Sequence, residues 1–107
     1  MAYAVVFFTF PSGKSPILGF LSSCHSKLRA KILRQLKYVE EYGLSPAIPN
    51  FKKIANTPLW ELRILGKDNI RVFCISLSGK RVRVLHIFKK KTRKTPSREL
   101  STALKRS

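Results

Sequence analysis

The chain has 107 residues, 44% of them hydrophobic, and carries 22 Lys/Arg against 5 Asp/Glu for a formal net charge of +17. That is enough apolar sequence for one small core, which excludes general disorder and makes residues 1–107 a single domain. The charge calls for a polyanionic partner, and so few acids argue against an enzyme built on paired carboxylates.

The apolar segment Ala2 to Phe10 is rich in β-branched and aromatic residues and predicts a buried strand, stopped by Pro11. It is too short to span a bilayer and lacks the basic region and cleavage site of a signal peptide. The expectation is a cytoplasmic chain with no membrane partner. Ser15 before Pro16 sets a capping hydroxyl ahead of a proline at the first helical position, which predicts a short helix over 16–23.

"HSKLRAKILRQLKYVEEYG", residues 25–43, predicts the longest helix. Leu28, Ile32, Leu36 and Val39 form one apolar stripe that Leu33 widens, Ser26 caps the start, and Gly43 supplies the stop. His25 reads as a surface or capping residue. The outer face carries Lys27, Arg29, Lys31, Arg34 and Lys37, candidates for nucleic-acid phosphate contacts. "LSPAIPNFKKIANTP" holds three prolines and predicts a surface connection, in which Phe51 either anchors the loop or stacks a base.

Three strands follow. "LWELRIL" buries Trp60, Leu62 and Ile64 and wets Glu61 and Arg63; "GKDN" turns the chain into "IRVFCISL", and "SGK" turns it into "RVRVLHIF". Such short turns imply an antiparallel β-meander. Thr95 and Pro96 repeat the cap-plus-proline start for a last helix of about ten residues. The fold class is α+β in two layers: an N-terminal strand, two helices, a meander and a short C-terminal helix.

No Gly-rich phosphate loop, metal-ligand cluster or Ser-His-Asp order stands out, so neither a cofactor nor a metal is expected. Cys24 and Cys74 lack metal spacing and read as a reduced pair, Cys74 as an inert core thiol. The charge is uneven: residues 80–107 hold eleven Lys/Arg and one acid. Arg63 either pairs with Glu61 on the surface or clamps a phosphate with its planar fork. Arg71 opens its strand after a turn, where it is either solvated or converges with Arg63 on one phosphate. His86 alternates with Val84 and Phe88, and reads as a half-buried histidine or as an acid–base group beside the cations. Lys89, Lys90, Lys91, Arg93 and Lys94 lie between a strand and a helix start, so they are held in place, which favours phosphate binding over mere solvation.

In order, "SGKSPILGFLSS", "KLRAKILRQLKYVEEYG", "LWELRI", "IRVFCI" and "VLHIFKKKTRKTPSRELSTAL" resemble the phage-derived, HigB-like branch of the RelE/ParE toxin superfamily through residues 5–105. The resemblance implies the RelE-like fold and a type II toxin whose partners are a HigA-like helix-turn-helix antitoxin, the ribosome and mRNA. It implies ribosome-dependent cleavage of mRNA without a metal, with Arg63, Arg71, His86, Lys90 and Lys91 at the family's motif positions. Cys74 stands where the family often has Tyr, and "ILGFLSS" where it often has acids. Two other functions fit the same chain: a ParE-like inhibitor of DNA gyrase, and a nucleic-acid-binding protein without catalysis.

Overall fold

A computed structural model describes residues 3–107; the predicted first strand's Ala2 lies outside them. The elements run β1 (Ala4–Phe7), α1 (Pro16–Ser23), α2 (Ser26–Tyr42), β2 (Phe51–Lys53), β3 (Trp60–Ile64), β4 (Ile70–Leu77), β5 (Arg81–Lys89) and α3 (Ser97–Arg106). They build one sheet of order β1-β5-β4-β3-β2, with β1 parallel to β5 and every other pair antiparallel.

Helix α1 starts where a proline and a cap dictate. Ser15 accepts from the Leu18 N–H at 3.2 Å, and Pro16, which has no N–H to satisfy, follows it. At α2 the cap is His25 and not Ser26: its Nδ1 accepts from the Leu28 N–H at 3.2 Å. Leu28, Ile32, Leu36 and Val39 are buried against the sheet, each stabilising the fold by about 1.5–3 kcal/mol. Leu33 does not join them and is 44% exposed, since its position turns away from the stripe. Helix α2 ends at Gly43 (φ +70), where a Cβ would come within 2.5 Å of the Tyr3 ring.

The proline-bearing connection contains a strand. Residues 51–53 pair with β3, and Phe51 is buried with its ring 5.1 Å from Trp60, so it is neither exposed nor free to stack a base. Three residues between prolines are too few to show an alternation in sequence. At the other end, Pro96 is the N-cap of α3 and Thr95 makes no capping bond, one position off the predicted start.

The sheet has two different faces. Leu62, Ile64, Ile70, Val72, Cys74, Val82, Val84 and Ile87 face α1 and α2. Leu59, Phe73, Ile75, Leu85 and Phe88 face the other way, where Ala103 and Leu100 of α3 cover them. The two-layer arrangement therefore holds over most of the sheet, with α3 closing part of the far side. Along β5 the alternation breaks: Phe73 pairs with His86 but Cys74 with Val84, so Leu85 is a bulge residue. Val84 and His86 consequently lie on opposite faces, contrary to a strict two-residue period.

Candidate functional site

The face left open by α3 carries the charge. Register places Arg63 directly across from Arg71, and Lys52 across from Glu61. These four side chains, with Lys90, Arg93 and Thr95 from the loop after β5, surround a polar cavity of about 240 Å³. The convergence of Arg63 and Arg71 expected from the strand pattern is present. The five-residue connection between β3 and β4 fixes it, because a short connection leaves a single register.

The two arginines differ. Arg71 is only 6% exposed, and Glu61, expected on the wet face, is buried with it. Arg71 Nε lies 3.2 Å from Glu61 Oε2, while Nη1 donates to Asn69 Oδ1 at 2.9 Å and to the Ile70 carbonyl at 3.3 Å. Burial pulls the guanidinium below its ordinary pKa; Glu61 opposes this and Arg63 adds to it. An arginine has the margin to stay charged. Its Nη2 keeps no partner among the described residues. Arg63 is exposed and unpaired among them, so Glu61 neutralises the inner arginine and leaves the outer one available.

Asn69 organises the rim. It takes a left-handed conformation (φ +51), which asparagine tolerates. Its Nδ2 donates to the Lys90 carbonyl at 2.6 Å, its own carbonyl accepts from the Lys90 N–H at 2.9 Å, and its Oδ1 holds Arg71. Lys90 turns its ammonium onto the carbonyls of Thr92 (2.7 Å) and Arg93, closing the loop. One of its three donors remains for a ligand. Arg93 reaches the cavity; Lys91 does not. It lines a separate groove with Lys89, Phe20, Pro96 and Arg98, while Lys94 stays exposed on the loop.

His86 also lies elsewhere. It sits beneath α3, stacked on Phe88 with centroids 5.3 Å apart, its Nε2 2.8 Å from Glu99 Oε1. Arg106 Nη1 approaches Nδ1 at 3.3 Å and donates to the Leu85 carbonyl at 3.0 Å. Because arginine can only donate, Nδ1 is the acceptor and Nε2–H the donor to Glu99. The guanidinium also covers the rings of Phe8 and Phe10, at 5.2 and 5.4 Å. Both ring nitrogens of His86 are thus spent on holding α3, and the acid–base role expected for it has no access to the arginine cavity.

On α2 the expected phosphate contacts divide. Arg29 donates to the carbonyls of Leu21 (2.8 Å), Ser22 (3.3 Å) and Cys24 (2.7 Å), capping the end of α1, and Lys31 donates to the Leu65 carbonyl at 2.9 Å. Lys27, Arg34 and Lys37 are exposed and make no such bonds among the described residues. Cys24 and Cys74 are both unbonded thiols, as expected.

Lys52, Glu61 as a buried partner, Asn69 and Arg106 escaped the sequence reading. Lys52 becomes visible only once residues 51–53 are known to be a strand. Asn69 carried a signal, an Asn closing a turn just before an arginine.

A family model described as "Phage derived protein Gp49-like (DUF891)" matches residues 19–107. Among solved structures, a double arginine-to-alanine mutant of the E. coli toxin RelE in the free state is similar to this chain with a TM-score of 0.70. The two are 22% identical, and the match covers 99% of this chain and 98% of that one, which establishes the RelE fold. No curated protein matches the chain.

Proposed function

Since the chain belongs to the phage-derived Gp49-like family, we propose that it is a toxin of a type II toxin–antitoxin system that cuts mRNA on the ribosome. Family and fold together support the toxin. The observation that carries the cleavage is the cavity in which Arg63 and Arg71 face each other, walled by Lys52, Lys90 and Arg93.

RNA brings its own nucleophile, because a ribose 2′-hydroxyl can attack the adjacent phosphate in line. The 2′-hydroxyl's proton passes to water at this open cavity, and the protein's tasks are then to orient the nucleotide, to stabilise the added negative charge, and to protonate the departing 5′-oxygen. Arg71, held at Nε by Glu61 and at Nη1 by Asn69, presents a preorganised Nη2 that pays no ordering cost at the moment of reaction. Arg63, free and opposite, closes on the second non-bridging oxygen. Lys52, on the strand beyond, is the ammonium that protonates the leaving group. The ribosome supplies the substrate geometry that so open a cavity does not impose by itself. A helix-turn-helix antitoxin of HigA type neutralises the toxin by covering cationic surface, and the working compartment is the cytoplasm.

A translating extract tests this reading. Codon-phased cuts in mRNA on adding the protein support it; gyrase poisoning with intact mRNA assigns the ParE-like activity instead, and neither effect assigns simple binding.

A further inference from the structure

A further cleft, of about 340 Å³, opens where β5 ends, between α1, the loop after β5 and the start of α3. Its walls are of two kinds. Phe20 and Pro96, both half-buried, and the buried Phe88 make an apolar side, and Lys89, Lys91 and Arg98 bring three cations. Phe20 packs against the core that α1 shares with the sheet and keeps part of its ring open to the cleft. The three cations are exposed, and their side chains make no hydrogen bond or ion pair among the described residues. The one acid at the cleft, Glu99, is turned to His86 at 2.8 Å. Lys90 fastens the loop through the Thr92 and Arg93 carbonyls, so the frame around Lys89 and Lys91 is fixed. That loop sends Lys90, Arg93 and Thr95 into the arginine cavity, and the cleft is a separate site on its other side.

We propose that this cleft binds a free nucleotide carrying two or more phosphates, its base laid on Phe20 and Pro96 and its phosphates on Lys89, Lys91 and Arg98. Each half of the cleft selects one half of the ligand. Any base has a π-face to stack on such a wall, so the site tolerates different bases. Arg98 offers a planar fork and the lysines offer compact charges, the donors that phosphate oxygens take. Three cations around so small a cleft exceed the single charge that each nucleotide of an RNA strand carries. This favours a phosphate chain on one nucleoside over a strand passing through. The volume falls within the ordinary range of small-molecule pockets, about 300–1,000 Å³. A nucleotide there would set negative charge behind the loop that holds Lys90 and Arg93 in the cavity. Binding of this kind needs neither ribosome nor message, and it goes beyond the cleavage proposed above.

The test is isothermal titration calorimetry at about 0.15 M salt, where long-range attraction is screened. The ligands are ADP, adenosine, inorganic pyrophosphate and a 5′-hydroxyl RNA tetramer. Net charge alone attracts any polyanion, so the base and the cleft residues must decide. ADP should bind at least about tenfold more tightly than adenosine, which lacks the charge-assisted hydrogen bonds, and at least about fivefold more tightly than pyrophosphate, which cannot stack. Lys91→Ala/Arg98→Ala should weaken ADP at least about tenfold. Phe20→Leu keeps an apolar side chain and should bring ADP down to the affinity of pyrophosphate. Lys53→Ala/Lys80→Ala removes as much charge from exposed positions on β2 and the β4–β5 turn and should match the wild type within about twofold. Phe20 packs on the core, so melting curves accompany its variant; the substitutions at Lys91 and Arg98 are exposed and decide the matter if Phe20→Leu unfolds. Three results overturn the proposal: pyrophosphate binding as tightly as ADP, undiminished ADP binding in Lys91→Ala/Arg98→Ala, or an RNA tetramer that outcompetes ADP.

Discussion

Glu61 and Arg71, on neighbouring strands, meet at 3.2 Å with both side chains more than nine-tenths buried. A buried pair is costly to halve, because the survivor keeps its desolvation penalty and loses its partner. Removing Glu61 (Glu61→Ala) should cost about 3 kcal/mol, a fall in Tm of more than about 12 °C for a chain of this size. Arg71→Lys keeps the charge but loses the fork that reaches Glu61 and Asn69 together. It should fold with a smaller loss and still cut RNA about 100-fold more slowly. Thermal melts beside single-turnover cleavage separate the two effects; equal activity in Arg71→Lys would mean that charge alone suffices.

His86 is the opposite case. Its hydrogen bonds go to Glu99 and Arg106 of α3, so it holds a helix and lies outside the Arg63–Arg71 cavity. His86→Ala should lower Tm and raise proteolysis at the C-terminus while leaving cleavage within about threefold of wild type below the melting range. A variant of native stability that no longer cuts RNA would return His86 to the catalytic centre.

Gly43 ends α2 at φ +70 and ψ −159, a region that side-chain-bearing residues rarely enter. Gly43→Ala adds the clash with the Tyr3 ring to that strain. The expected cost is about 1–3 kcal/mol for the backbone alone. Denaturant titration should show a lower midpoint at unchanged slope.

Burial pushes the Cys74 thiol up to about 12. An unfolded cysteine ionises near pH 8.5, so between those values the folded chain retains a proton that the unfolded chain releases. The resulting stability is complete below about pH 8.5 and is lost as pH rises, by up to about 1.4 kcal/mol per pH unit. At pH 8 a thiol reagent should label Cys74 only after unfolding. Rapid labelling of the native protein would show that the core opens there.

Much of this was legible in the sequence, for reasons the structure makes plain. Ser15–Pro16, the Leu28–Val39 stripe and the strand alternation around Trp60 are local signals, and each falls in the element it predicts. The Arg63–Arg71 pairing followed from a short turn and a two-residue period. Three things were not local. Strand β2 is three residues among prolines and exists because β3 offers it an edge. The Leu85 bulge moves His86 to the α3 face, and no composition marks a bulge. The sharing of charges was hidden as well: one carboxylate had two arginines within reach, and only packing decides that Glu61 takes Arg71 and leaves Arg63 free.

Arg63 is therefore where the central claim is most exposed, since its loss would remove the proposed phosphate contact and no side-chain hydrogen bond or ion pair among the described residues. Primer-extension mapping of a message in a translating extract, with wild type and Arg63→Ala at matched concentration, measures it directly. The wild type should cut within codons at the ribosome, and Arg63→Ala, with an unchanged melting curve, should cut about 100- to 1,000-fold more slowly. Undiminished cutting by Arg63→Ala would contradict the claim that the paired arginines on the sheet stabilise the transition state.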